Sequence, residues 1–313
     1  MLRFLLRRLV FAFITIVFAT ALVFVLSRLQ GDPLLLYAKP GGYGFTPEQE
    51  AALKKKLGLD KPLVMQYVVW IGQIARVDFG KTILDEKPVS KVVSEKIPAS
   101  GQLALYSWVI ATVVGVPIGV FAAVKRGTKW DYVARVFAVF GVGLPSFWLG
   151  LILIFFFAVR LGWLPAGTRG DGGWHDWKYV LLPAVTLGWG AAASLMRLTR
   201  SAMLEILDSE FIKLARAKGV KSTSIIWKHA FRNAVIQPLT ASAVILTGFL
   251  SGSIIVETVF AWPGMGRQLI TVINNNDFPV IMAFTLVYAT LYVVANFFVD
   301  LSYGAIDPRI RYD

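Results

Sequence analysis

The sequence predicts an all-α integral membrane protein with six transmembrane helices, an extracytoplasmic insert after the first helix and a cytoplasmic helical elbow after the fourth. Three observations carry this. The 313-residue chain is 56% hydrophobic, above the roughly 45–50% of water-soluble domains. Its apolar residues are gathered into membrane-length runs. Its basic residues are shared unequally between alternate loops.

Leu9–Leu26 carries no charge, and its length is close to the roughly 20 residues a helix needs to cross a ~30 Å hydrocarbon core. Further charge-poor runs occupy 103–124, 136–159, 179–196, 235–256 and 280–299. In lipid each segment must pair its own backbone N–H and C=O groups, which a helix does. Arg3, Arg7 and Arg8 precede the first run, and Ala19-Thr20-Ala21 resembles a signal cleavage site. That triplet lies inside the run, which continues through 23–26, so the reading is a retained anchor.

With the N-terminus in the cytoplasm, the inner segments hold Arg3, Arg7, Arg8, Lys125, Arg126, Lys129, the basic residues between 197 and 232, and Arg309 and Arg311. The short outer loops hold only Arg160, Arg169, Lys178 and Arg267, and the long 31–100 loop carries no orientation signal. Six spans then place both termini in the cytoplasm. The net charge of +13 is this inside bias plus the lysines of the insert, and it requires no nucleic acid. With no cysteine there is no disulfide or thiolate site.

Gly31-Asp32-Pro33 ends the first helix. Thr46 as N-cap, Pro47 in the first turn and Glu48 and Glu50 behind it start a short helix that Lys54, Lys55, Lys56 and Gly58 close. Residues 63–76 read as a second. This insert is either a cap or docking surface at the outer mouth or a solvated structural loop. Gly115 with Gly119, and Gly248 with Gly252, are spaced to let helices approach closely. Pro117, Pro145 and Pro183 are expected to kink or locally open their spans. No internal repeat is visible.

The stretch 209–240 is basic, amphipathic and broken by glycine. Glu210 opens a helix, Lys213, Arg216 and Lys218 follow toward its end, and Gly219 stops it, an order that complements the helix dipole. Ser222, Thr223 and Ser224 are expected to cap a second helix beginning near Ile225. Phe211, Leu214 and Ala215 share one face of the first. Such an elbow either lies on lipid headgroups or is offered to a soluble partner.

The order Ala215-Arg216-Ala217-Lys218-Gly219, then His229-Ala230-Phe231-Arg232-Asn233-Ala234, then Pro238 and Thr240, resembles the cytoplasmic coupling loop of ABC importer permeases, and more narrowly those of the dipeptide/oligopeptide (peptide/nickel) type. The resemblance extends along the chain: Leu57-Gly58-Leu59-Asp60-Lys61-Pro62, Asp78-Phe79-Gly80, Pro145-Ser146-Phe147-Trp148, Leu161-Gly162-Trp163-Leu164-Pro165, Glu257-Thr258-Val259-Phe260, Trp262-Pro263-Gly264-Met265-Gly266 and Asp307-Pro308-Arg309. Lys213-Leu214-Ala215 stands where many ABC importers carry Glu-Ala-Ala.

The resemblance implies a multi-pass permease subunit of a bacterial or archaeal plasma (inner) membrane. It would form half of a translocation pore for short peptides, or alternatively for nickel chelates, glutathione-like molecules or oligosaccharides. It implies a second homologous permease subunit, two cytoplasmic ATPase subunits or domains and an extracytoplasmic solute-binding protein. The elbow within coupling loop 204–234 would dock on an ATPase through Leu214, Ala215, Arg216, Ala217, Lys218 and Gly219, braced by His229, Arg232 and Asn233. Glu257, Thr258, Phe260, Trp262, Pro263 and Gly264 would form an outer gate or receptor contact. On sequence alone a helix-capping role is the alternative for Glu257.

The organisation that follows is 1–30 as tip and first span, 31–100 as insert and 101–313 as permease core. No cofactor is expected in this chain, ATP and Mg being bound by the partner ATPases. Gly80-Lys81-Thr82 is like the end of a phosphate-binding loop, but Ala75 stands where the first glycine is required. The two histidines, His175 and His229, form no metal-ligand or triad pattern, so no catalytic or metal residue is assigned. A stand-alone secondary carrier is disfavoured because Arg135, Arg160, Glu257 and Asp300 all fall near span ends.

Overall fold

The computed structural model describes residues 2–29, 47–56, 58–83, 85–173, 175–250 and 253–306. Among these residues the fold is helical, with one isolated antiparallel bridge, Lys81 to Pro88. In chain order the helices are α1 (Leu2–Leu29), α2 (Pro47–Lys56), α3 (Leu63–Ile74), α4 (Val89–Val124), α5 (Lys129–Gly143), α6 (Ser146–Arg160), α7 (Trp177–Leu207), α8 (Glu210–Ala217), α9 (Ser222–Ala234), α10 (Ile236–Leu250), α11 (Ile254–Val259), α12 (Met265–Asn274) and α13 (Phe278–Ile306).

Four of them, α1, α4, α7 and α13, are long and apolar enough to cross a membrane unaided. Two further candidates are bent pairs: α5 with α6 at 106°, and α9 with α10 at 49°. The run expected as the third span, 136–159 with a kink at Pro145, is thus bent to nearly a right angle. Leu144 takes extended backbone (φ −83°, ψ 125°) ahead of Pro145, as a residue before proline prefers, and the helix restarts at Ser146. Pro117 and Pro183 do not break their helices: α4 and α7 run through them. The run expected as the fifth span, 235–256, is divided between α10, which ends at Leu250, and α11, which begins at Ile254.

The chain divides into two compact units. The first holds Met1–Pro98 and Gln268–Val293. In it α1 meets α3 through Phe24, Tyr67 and Trp70, and the Tyr67 and Thr20 hydroxyls share a hydrogen bond of 2.9 Å. The expected insert helices are present: α2 begins at Pro47, and Gly58 follows its end at φ +65°. Thr46 and Gly31-Asp32-Pro33 lie outside the described residues. Asp277, ahead of α13, accepts the Ile83 N–H at 3.2 Å and so ties down the segment that carries the bridge.

The second unit, Ala99–Arg267 with Val294–Asp313, is organised around α7, whose buried residues run from Val180 to Leu207. A Cβ at Gly115 would lie 2.5 Å from the Ala192 carbonyl oxygen, and one at Gly119 would lie 2.7 Å from that of Met196. The glycine pair on α4 thus lets two backbones touch. Gly248 meets nothing within 4 Å in this chain, and Gly252 lies outside the described residues. Phe137 stacks edge-on against Trp189 at 4.7 Å, and the Trp108 indole N–H donates to the Ser242 carbonyl at 2.8 Å, joining α5 to α7 and α4 to α10.

Candidate functional site

Two constructions in the second unit contain the residues singled out by sequence. The first is the elbow. Ser209 adopts extended backbone and starts α8, and its carbonyl accepts the N–H groups of Ile212 and Lys213 at 3.1 Å each. Its hydroxyl turns back to the Ile206 carbonyl instead of capping α8. Lys213 pairs with Glu210 at 2.8 Å.

At the other end Gly219 stops the helix as its position predicts. It sits at φ +75°, its N–H donates to the Arg216 carbonyl at 3.0 Å, and the Val220 N–H reaches that of Ala215 at 3.2 Å. This is the paired bonding of a Schellman stop. The expectation for Ser222, Thr223 and Ser224 is corrected. They form the first turn of α9, with Lys221 in the cap position and no side-chain cap, and the helix then widens to π-type bonding over Ile225–Phe231. Ile225 is buried in the cluster beneath the elbow, and that anchorage goes with a helix start one turn earlier than the hydroxyl pattern suggests.

Ile212, which the sequence pattern does not single out, is fully buried among Met203, Leu207, Ile225, Ala230 and Ala234, together with Val120 and Ala123 of α4. Phe211 and Leu214 instead stay 46% and 57% exposed. So α8 is apolar on two sides: Ile212 fastens it down, while Phe211 and Leu214 face outward. Five of its eight residues (Phe211, Ile212, Leu214, Ala215 and Ala217) are apolar, so helical spacing does not separate the buried face from the exposed one. Ala215 is half-buried, and Arg216, Ala217, Lys218 and Gly219 are exposed. Of the residues named as braces, His229 is half-buried, Arg232 and Asn233 are exposed, and Asn233 Nδ2 donates to the His229 carbonyl at 2.6 Å.

The second construction surrounds Glu257, which is fully buried. The Ser100 hydroxyl donates to Glu257 Oε1 at 2.8 Å, the Arg267 N–H donates to Oε2 at 2.9 Å, and Ser100 Oγ in turn accepts the Met265 N–H at 2.8 Å. The carboxylate therefore caps the N-terminal turn of α12, where the helix dipole favours negative charge. Burial pushes its carboxyl above the usual range, opposed by these donors. A Cβ at Gly264 would overlap the Glu257 carboxylate, so only glycine fits. The Trp262 indole N–H donates to the Ala99 carbonyl at 2.8 Å, and the Phe260 carbonyl accepts the Thr168 N–H at 2.8 Å. Of the six residues named for an outer gate, Glu257, Phe260, Trp262 and Gly264 are buried, Pro263 is half-buried and Thr258 is exposed. Ser100 carries no sequence signal, because a serine in an apolar helix reads as packing. Among the described residues no His/Cys/Asp/Glu group has the arrangement of a metal site.

The family described as "Binding-protein-dependent transport system inner membrane component" matches residues 115–312, and its N-terminal membrane component matches residues 1–104. The chain belongs to this family. It is 37% identical over 314 residues to a putative peptide transport system permease protein of Brucella abortus (strain 2308), covering 98% of both chains. It is 36% identical over 339 residues to the dipeptide transport system permease protein DppB of Escherichia coli (strain K12), covering 100% of this chain and 99% of that one. The inward-facing MetNI methionine ABC transporter has a chain of similar fold, with a TM-score of 0.55 and 21% identity over 69% of this chain and 96% of that one. The resemblance to ABC importer permeases of the peptide type therefore holds, and this family member is a multi-pass membrane transport component, not an enzyme.

Proposed function

We propose that this permease forms half of the translocation pore of an ATP-driven importer of short peptides, and that segment 209–234 is the docking element for a separate ATPase. The observation that carries the docking role is the division of α8: Ile212 is locked into the core while Phe211 and Leu214, flanked by Lys213, Arg216 and Lys218, remain exposed. An exposed apolar pair on a rigid base suits a groove on a partner that moves it as a body. The substrate class is supported by the names of the relatives, which are peptide and dipeptide permeases.

In this reading the six spans are α1, α4, the bent α5–α6 pair, α7, α10 and α13, with both termini and the elbow in the cytoplasm and 31–100 outside. A second homologous permease completes the pore, two ATPase subunits bind ATP and Mg, and an extracytoplasmic solute-binding protein delivers peptide. The Glu257 knot stiffens the outer end, where the exposed Thr258 would meet the receptor or the pore. The test is Leu214→Asp in the assembled transporter. Loss of ATPase subunits on purification, with membrane insertion intact, is the expected result; full retention of both subunits would reject the docking assignment.

A further inference from the structure

Asp131, in the first turn of α5, has a side chain only 2% exposed. It takes a bidentate pair from Arg200 of α7, with Nε donating to Oδ1 at 2.7 Å and Nη2 to Oδ2 at 2.9 Å. Oδ2 also accepts the Gly127 N–H at 3.0 Å, and Arg135 lies 3.7 Å from Oδ1. One carboxylate thus holds the start of α5, the turn leaving α4 and the C-terminal part of α7. From the same turn Arg126 pairs with Asp208 at 2.8 Å, and Asp208 directly follows α7 at the root of the elbow. Alongside these pairs Val120 and Ala123 of α4 share an apolar cluster with Met203, Leu207 and Ile212.

Apolar packing has no preferred direction, so it fixes the angle between α7 and the α4–α5 turn less sharply than a hydrogen-bonded pair does. A two-pronged guanidinium–carboxylate pair fixes angle as well as distance. We propose that Asp131 and Arg200 are positioning residues that lock the α4–α5 turn to the root of the elbow, so that α4, α5, α7 and α8 move as one lever when the partner ATPase displaces α8. Arg126 and Asp208, both more than half exposed, are a weaker second fastening. The inference rests on the docking role of α8, but it concerns transmission beyond the docking contact.

The experiment uses the complete transporter in proteoliposomes and reads ATPase retention, ATP hydrolysis, peptide uptake and thermal midpoint together. Asp131→Asn is expected to keep its ATPase subunits and most of its hydrolysis while uptake falls roughly tenfold, raising the ATP consumed per peptide. Arg200→Lys, which keeps the charge but not the fork, should show the same split. Arg126→Gln should show a smaller split with an unchanged thermal midpoint. An equal fall in hydrolysis and uptake, or no change in either, would overturn the lever. If Asp131→Asn does not assemble, Arg126→Gln decides, and an unchanged ATP-to-peptide ratio there rejects the proposal. Failure of the docking role is separate, since it appears as ATPase retention by Leu214→Asp.

Discussion

Gly115 lies so close to Ala192 that a Cβ on the glycine would stand 2.5 Å from the alanine carbonyl oxygen. Gly115→Val should therefore force α4 and α7 apart, at a cost of about 1–3 kcal/mol. Gly248→Ala, at a glycine with nothing within 4 Å, should leave stability within about 0.5 kcal/mol. Thermal unfolding in detergent compares the two, and equal behaviour would refute the close contact.

Glu257 accepts the Ser100 hydroxyl on one carboxylate oxygen and the Arg267 N–H on the other. Glu257→Ala should remove the acceptor of the Ser100 hydroxyl and of the Arg267 N–H, costing about 1–3 kcal/mol for each. Glu257→Gln keeps one carbonyl acceptor and should fall between Ala and wild type. Thermal midpoints in that order are the expected outcome.

Asp277 gives a pH dependence. Burial holds its carboxyl above the usual range, against the Ile83 N–H that lowers it. A raised acid binds its proton more tightly in the fold than in the unfolded chain. Its stabilising contribution is then full below the unfolded value of about 4 and lost as pH rises through the folded value. Asp277→Asn keeps an acceptor for Ile83 without titrating. It should equal or exceed wild type in thermal midpoint near neutral pH, with the advantage shrinking as pH falls toward about 4.

Ile212 and Leu214, close together on α8, should behave oppositely. Ile212→Ala empties a buried site and should cost about 2–5 kcal/mol of stability. Leu214→Ala should leave stability within about 0.5 kcal/mol yet weaken ATPase binding by about tenfold. Unfolding and binding assays on the same preparations separate the roles.

The elbow shows how far a sequence can be read. The stop at Gly219 is legible because a left-handed turn after a helix selects glycine by local geometry. The start of α9 is not, because three hydroxyl residues fit a first turn as well as a cap, and packing around Ile225 is not written beside them. The bend at Pro145 is legible for a local reason, like the stop at Gly219. Its 106° angle is not, because that depends on what each half packs against.

Sequence by itself determined the membrane-length apolar runs, the glycine stops and the family to which the chain belongs, since each is written in local composition or in ordered motifs. Tertiary structure alone decided that Glu257 caps α12, that Ile212 and not Leu214 faces inward, and that Asp131 meets Arg200. These are contacts between residues distant along the chain, and charge or polarity at one position does not say which distant group will satisfy it.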